Sequence, residues 1–182
     1  MKYWEIARLL EGAPLKRDKV LDEAIWWVTR WISGSANDPD WDDSWCTIDI
    51  NEAMQVVHER VGNAKSIGKP LYRFIGMKKK AAAALEISKV LDVHDWSFQS
   101  FTTSVDLAWK CGEEIHGGST GPVGIVVEAH VPPDRVLFGI RDLRARRGLY
   151  TDLQPLADWF HQDEVLVSMR EPLPLTKVLR KR

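Results

Sequence analysis

The sequence predicts an α+β fold in a single domain, with a helical N-terminal lobe (residues 1–65) followed by a mainly β core (66–182). Three observations carry this reading. Apolar residues recur at helical spacing early in the chain, at Leu21, Ile25, Val28 and Ile32. Short β-prone runs dominate the second half, among them 71–75, 123–129 and 165–167. The 182 residues are 45% hydrophobic and 28% charged, which suits one globular domain with a sizeable core.

In chain order, residues 1–14 read as a short helix or arm and 18–32 as a clear helix, broadened by Ala24, Trp27 and Trp31. Residues 33–35 end it, and an acidic, turn-rich loop follows at 37–43. Its carboxylates lack calcium-loop spacing, so it reads as a solvated loop. Asn51 is positioned to cap a helix carrying Ala53, Met54, Val57 and Val61, which stops near Gly62. A turn at 68–70 leads into a strand at 71–75 that carries Arg73. Residues 78–91 read as a helix with Lys78, Lys79 and Lys80 in its first turn, where the dipole disfavours cations.

The stretch 96–103 is aromatic and β-prone, and 105–110 reads as a short helix. The glycine-rich turn at 117–121 lacks the lysine of a nucleotide phosphate loop. Strands at 123–129 and 135–138 are separated by Pro132 and Pro133. A basic connector, 141–150, leads through 152–160 to a strand at 165–167, and 173–179 reads as an edge strand.

A net charge of -1 implies no global attraction to nucleic acid or an anionic membrane. Cys46 and Cys111 form neither a disulfide framework nor a metal pattern, which fits a reducing compartment. The first residues lack a signal peptide's apolar run and nothing approaches membrane-spanning length, so synthesis in the cytoplasm is expected. Delivery into another cell is compatible with the same sequence. The five histidines show no zinc-ligand spacing. Nine tryptophans, six of them in the first 45 residues, point to a tryptophan-rich lobe whose rings fill a core or meet a partner protein.

The chemistry concentrates around 159–169. Gln162 and Glu164 stand two apart at the mouth of an apolar run, and in a strand they share one face. A neutral amide beside a carboxylate leaves the acid without a like-charge neighbour. Upstream lie Arg73 on its strand and the hydroxyl run Ser100-Phe101-Thr102-Thr103-Ser104 before a helix.

These three elements, in this order, resemble the mono-ADP-ribosyltransferases of the arginine/serine-threonine-serine/glutamate class in their Gln-x-Glu form. The resemblance spans about residues 50–170 and implies a split β-sandwich core with NAD as substrate. It further implies that Arg73 holds the NAD phosphates and that Thr102 bonds Glu164, while Thr103 and Ser104 support the strand and the dinucleotide. Phe101 or Phe98 would stack on nicotinamide. Glu164 would bond the ribose and stabilise the sugar cation, Gln162 would orient the acceptor, and Trp159 would contact the macromolecular substrate.

A toxin or effector of phage or bacterial origin is the implied biological type. An amide at Gln162, rather than a second carboxylate, points to a protein acceptor other than arginine. The tryptophan-rich lobe is then a place for a target or an antitoxin-like partner.

Three alternatives stay open. The acceptor is a DNA or RNA base, with Arg141, Arg144, Arg146 and Arg147 meeting phosphates. The enzyme only hydrolyses NAD. Or the chain is an inactive interaction module, for which Phe74 argues by standing where the family often has glycine.

Overall fold

The computed structural model describes residues 18–32, 44–61, 68–92, 97–116, 123–140 and 164–180. They form an α+β structure whose chain divides into two compact units, one of residues 1–65 with 137–162 and one of 66–136 with 163–182. The expected helical lobe therefore lies in the first unit, which also takes in 137–162.

The first unit contains α1 (Lys19–Ile32) and α2 (Ile50–Val61). Asp18 caps α1, its carboxylate accepting the Leu21 N–H at 2.9 Å. Leu21, Ala24, Ile25 and Val28 are buried on one stripe of α1, and Ala53, Met54 and Val57 on one of α2. The cap of α2 is Asp49, which accepts the Glu52 N–H at 2.9 Å. Asn51, the sequence's candidate, is already inside the helix. Asp49 holds the position because only the residue before the first helical one has a carbonyl opening the ladder and a free side chain beside the orphan amides.

Buried Glu23 fastens the segment before α2. Its carboxylate accepts from the Thr47 N–H at 2.6 Å, the Thr47 hydroxyl at 2.9 Å and the Ile48 N–H at 3.3 Å. The Thr47 backbone bond holds its pKa below the usual carboxylate range. Trp27 donates its indole N–H to the Ile48 carbonyl at 3.0 Å. Trp26 meets Trp27 and half-exposed Trp45 edge-on, with the Arg30 guanidinium 4.8 Å from its ring centre. His58 Nδ1 lies 2.7 Å from the Leu137 carbonyl, an acceptor that requires the nitrogen to donate.

The second unit is built on an antiparallel sheet. Its elements are β1 (Pro70–Met77), α3 (Lys79–Ser88), β2 (Val90–Leu91), β3 (Phe98–Thr102), α4 (Val105–His116) and β4 (Val123–His130). A 3-10 turn (Pro133–Arg135), β6 (Glu164–Ser168), β7 (Leu173–Pro174) and β8 (Lys177–Arg180) complete its order, while β5 (Val136–Gly139) belongs, beyond Val136, to the first unit. Within the second unit the strands run β6-β3-β1-β4-β8, and β2 pairs separately with β7.

Several elements differ from expectation. The helix expected over 78–91 stops at Ser88, where Lys89 turns left-handed (φ 49°) and returns its N–H to Leu85, freeing Val90 and Leu91 to pair with β7. The helix after β3 runs to His116 rather than Lys110. The edge strand expected over 173–179 is two strands, because Leu175 and Thr176 give their amides to the carbonyls of Lys89 and Glu128 instead of to a ladder. Arg135 lies in the 3-10 turn, and its guanidinium donates to the carbonyls of Ser168, Glu171 and Pro172. The acidic loop 37–43, the glycine turn 117–121 and the basic connector 141–150 lie outside the described residues.

Phe74 joins β1 to α4. A Cβ built on Gly112 collides with the Phe74 ring, one on Gly124 lies 2.7 Å from it, and Trp109 meets it edge-on at 6.0 Å. The two glycines thus supply the room the ring occupies.

A Gly112→Ala change gains about 1 kcal/mol of helix propensity. It also overpacks against a rigid ring, at a cost of about 1–3 kcal/mol. The clash wins because aromatic carbons have nowhere to swing. Urea unfolding is predicted to show Gly112→Ala less stable than wild type and Phe74→Leu/Gly112→Ala partly restored. An alanine variant as stable as wild type would contradict this packing.

Candidate active site

Three neighbouring strands, β6, β3 and β1, bring together the residues singled out in the sequence. The β3–β6 ladder is complete over Phe98–Thr102, with Thr102 opposite Glu164 and Ser100 opposite Leu166. On its other side β1 pairs with β4 along its whole length, from Pro70↔His130 to Met77↔Val123. Between β1 and β3, however, the pairing consists of Tyr72↔Thr102 alone. Continuing that register would put Phe74 opposite Ser100, a pair the ladder does not include. Along so short a ladder, buried backbone groups draw on partners from side chains as well.

Arg73 supplies one. Its Nη1 donates to the Ser100 carbonyl at 2.5 Å, across the seam. The Ser100 hydroxyl in turn donates to Glu164 Oε1 in a short hydrogen bond. One residue therefore contacts the cation through its carbonyl and the carboxylate through its hydroxyl. Burial pushes the Arg73 pKa down to about 10, against the opposing support of the Glu164 charge. The burial effect is the larger, yet the guanidinium stays cationic throughout the neutral range. Glu164 is 9% exposed, so the pair sits in a largely dry setting that strengthens its electrostatics.

The hydroxyl bonded to Glu164 differs from the one expected. Thr102 stands opposite Glu164 in register, but its oxygen accepts the Ser104 N–H at 3.2 Å in a local turn. Ser104 caps α4 by accepting the Leu107 N–H at 3.2 Å. Ser100 is the residue that sequence reasoning passed over. The available signal was spacing: Ser100 and Thr102, two apart on a strand, share a face, whereas Thr103 falls on the other.

Phe98 and Phe101 are 1% and 2% exposed, so neither ring has a free face for a stacking ligand. Their burial follows from the complete pairing of β3 with β6, which draws both into the core. Thr103 follows the end of β3 and carries no hydrogen bond among the described residues. Gln162 and Trp159 lie outside the described residues.

No three His, Cys, Asp or Glu side chains among the described residues gather as a metal site. No helix among them is long and apolar enough to cross a membrane. In comparisons with known proteins, no family model, no curated protein and no solved structure matches the chain.

A hydrogen bond to a carboxylate contributes about 1.5–3 kcal/mol, a neutral one about 1. Ser100→Ala is therefore predicted to destabilise the protein by about 2 kcal/mol and Thr102→Val by about half as much, read from urea midpoints. Equal losses at the two positions would mean that the Ser100 hydroxyl does not hold Glu164.

Proposed function

We propose that the chain is a mono-ADP-ribosyltransferase that cleaves NAD at the nicotinamide bond and transfers ADP-ribose to a protein side chain other than arginine. The observation that carries this reading is the convergence of Arg73, Ser100 and Glu164 from three neighbouring strands, with Ser100 bonded to both charges. A planar five-donor guanidinium suits a dinucleotide's pyrophosphate. A positioned carboxylate suits a sugar that becomes cationic as its leaving group departs.

In that reaction the bond between the ribose C1' and the nicotinamide nitrogen breaks, and its electron pair leaves with nicotinamide as a neutral ring. The acceptor's nucleophilic atom bonds C1' and gives up its proton. Glu164 contributes negative charge beside the developing cation, and Ser100 keeps the carboxylate oriented. Gln162, two residues before Glu164, supports an acceptor that a neutral amide recognises. Phe74 no longer argues for a blocked site, since its ring is taken up against Trp109, Gly112 and Gly124.

Wild-type protein and Glu164→Gln, incubated with lysate and NAD labelled on the adenylate, test this directly. Wild type is predicted to label material that protease, not nuclease, removes, and Glu164→Gln to lower labelling by about 100-fold or more. Label in nucleic acid would shift the acceptor to a base. Nicotinamide release without label would leave a glycohydrolase, and neither activity from folded protein would leave an interaction module.

A further inference from the structure

With Phe98 and Phe101 enclosed, the aromatic surface for a bound ring must come from elsewhere. The other aromatic residues described in the second unit are Tyr72, Phe74 and Trp109. Phe74 and Trp109 are taken up with each other, and the Phe74 ring fills the room left by Gly112 and Gly124. Tyr72 differs from both. It is half-buried, and its side chain makes no hydrogen bond or ring contact among the described residues.

Strand register puts that ring on the face of the sheet where Glu164 stands. Thr102 lies opposite Glu164 of β6 on one side and opposite Tyr72 of β1 on the other. Residues directly opposite in antiparallel strands project to the same side. Glu164, Thr102 and Tyr72 therefore form one row across three strands, and Ser100, two residues before Thr102, shares their face. Two strand spacings separate the ends of the row, about 10 Å. Threonine is the shortest side chain of the three, and its oxygen is turned to the Ser104 N–H. A sugar held at Glu164 can thus lie over Thr102 and carry its ring to Tyr72.

Beyond Tyr72 the row continues to Glu128 of β4 and Lys177 of β8. The Glu128 carboxylate already takes the Lys177 ammonium at 3.2 Å, so its charge is matched within the protein. The group that Tyr72 offers a ligand is its own π-face.

We propose that Tyr72 is a specificity-determining residue, whose ring stacks on the nicotinamide of NAD held at Glu164 and selects its oxidised, cationic form. This rests on the reading of NAD as substrate. The nicotinamide of NAD is a pyridinium cation, which the face of a tyrosine attracts electrostatically. The ring of NADH is neutral and forgoes that attraction. The same holds for nicotinamide after cleavage, so the contact favours substrate over the departing product.

The test uses a non-hydrolysable NAD analogue that keeps the pyridinium charge, NADH, and ADP-ribose, which has no nicotinamide. Binding of each is measured by calorimetry to wild type, Tyr72→Phe and Tyr72→Leu. Wild type is expected to bind the analogue more tightly than NADH, and Tyr72→Leu to shrink that preference by about tenfold. Glu164 is present in all three proteins, so its own attraction for the cation cancels from the comparison. Tyr72→Phe is expected to keep the preference, and ADP-ribose to bind all three alike.

Equal binding of the analogue and NADH by wild type would overturn the proposal without any variant. So would a preference unchanged in Tyr72→Leu, or a loss of ADP-ribose binding there, which marks a residue that supports the strand and not the ring. Failure of wild type to bind either the analogue or ADP-ribose would instead remove the NAD reading itself, and this assignment with it.

Discussion

Everything proposed for this protein depends on one residue making two bonds of opposite sense. Ser100 offers its carbonyl to the Arg73 guanidinium and its hydroxyl to the Glu164 carboxylate. Each bond is charge-assisted and stronger than a neutral one. Without such partners a partly buried guanidinium would be costly to hold, and the downward pressure on the Arg73 pKa records that cost. The serine can serve both charges because it stands where a β-ladder stops. A fully zipped β1–β3 pair would have committed its backbone to neighbouring strands.

The strands around that seam divide the work. Complete pairing of β3 with β6 fixes Ser100 against Glu164, and complete pairing of β1 with β4 and of β4 with β8 holds Arg73 on a rigid ribbon. Phe74, one residue past the arginine, locks that ribbon to α4 through the space left by Gly112 and Gly124. Rigid elements on both sides of a short ladder are a suitable frame for a site that must position charge, since positioning is what electrostatic catalysis requires.

Local patterns were readable in the sequence, and pairing was not. The helical stripe from Leu21 to Val28 is buried as its spacing predicts, and the apolar run 165–167 is a buried strand. Arg73 and Glu164 stood out because charged residues within β-prone runs are unusual and because the surrounding motifs resemble a family. Ser100 did not, since four hydroxyls crowd into residues 100–104 and only the register against β6 and β1 selects among them. Phe74 read as an obstruction, because Gly112 and Gly124 are far away in sequence and reveal their role only in space. Lys89 adopts a left-handed conformation that its side chain does not announce, so the end of α3 was misplaced. Gln99 is a polar residue in a buried position, which no local rule distinguishes from an exposed one.

The central claim is that Ser100 and Glu164 act as one unit on NAD, and a double-mutant cycle on nicotinamide release addresses it most directly. Release is measured for wild type, Ser100→Ala, Glu164→Gln and the double variant, each verified as folded. The account predicts that both single changes slow release and that the double variant is no slower than Glu164→Gln alone, because a serine whose task is to hold the carboxylate has nothing further to contribute once the charge is gone. Fully additive losses would separate the two residues, and release unaffected by Glu164→Gln would contradict the account outright.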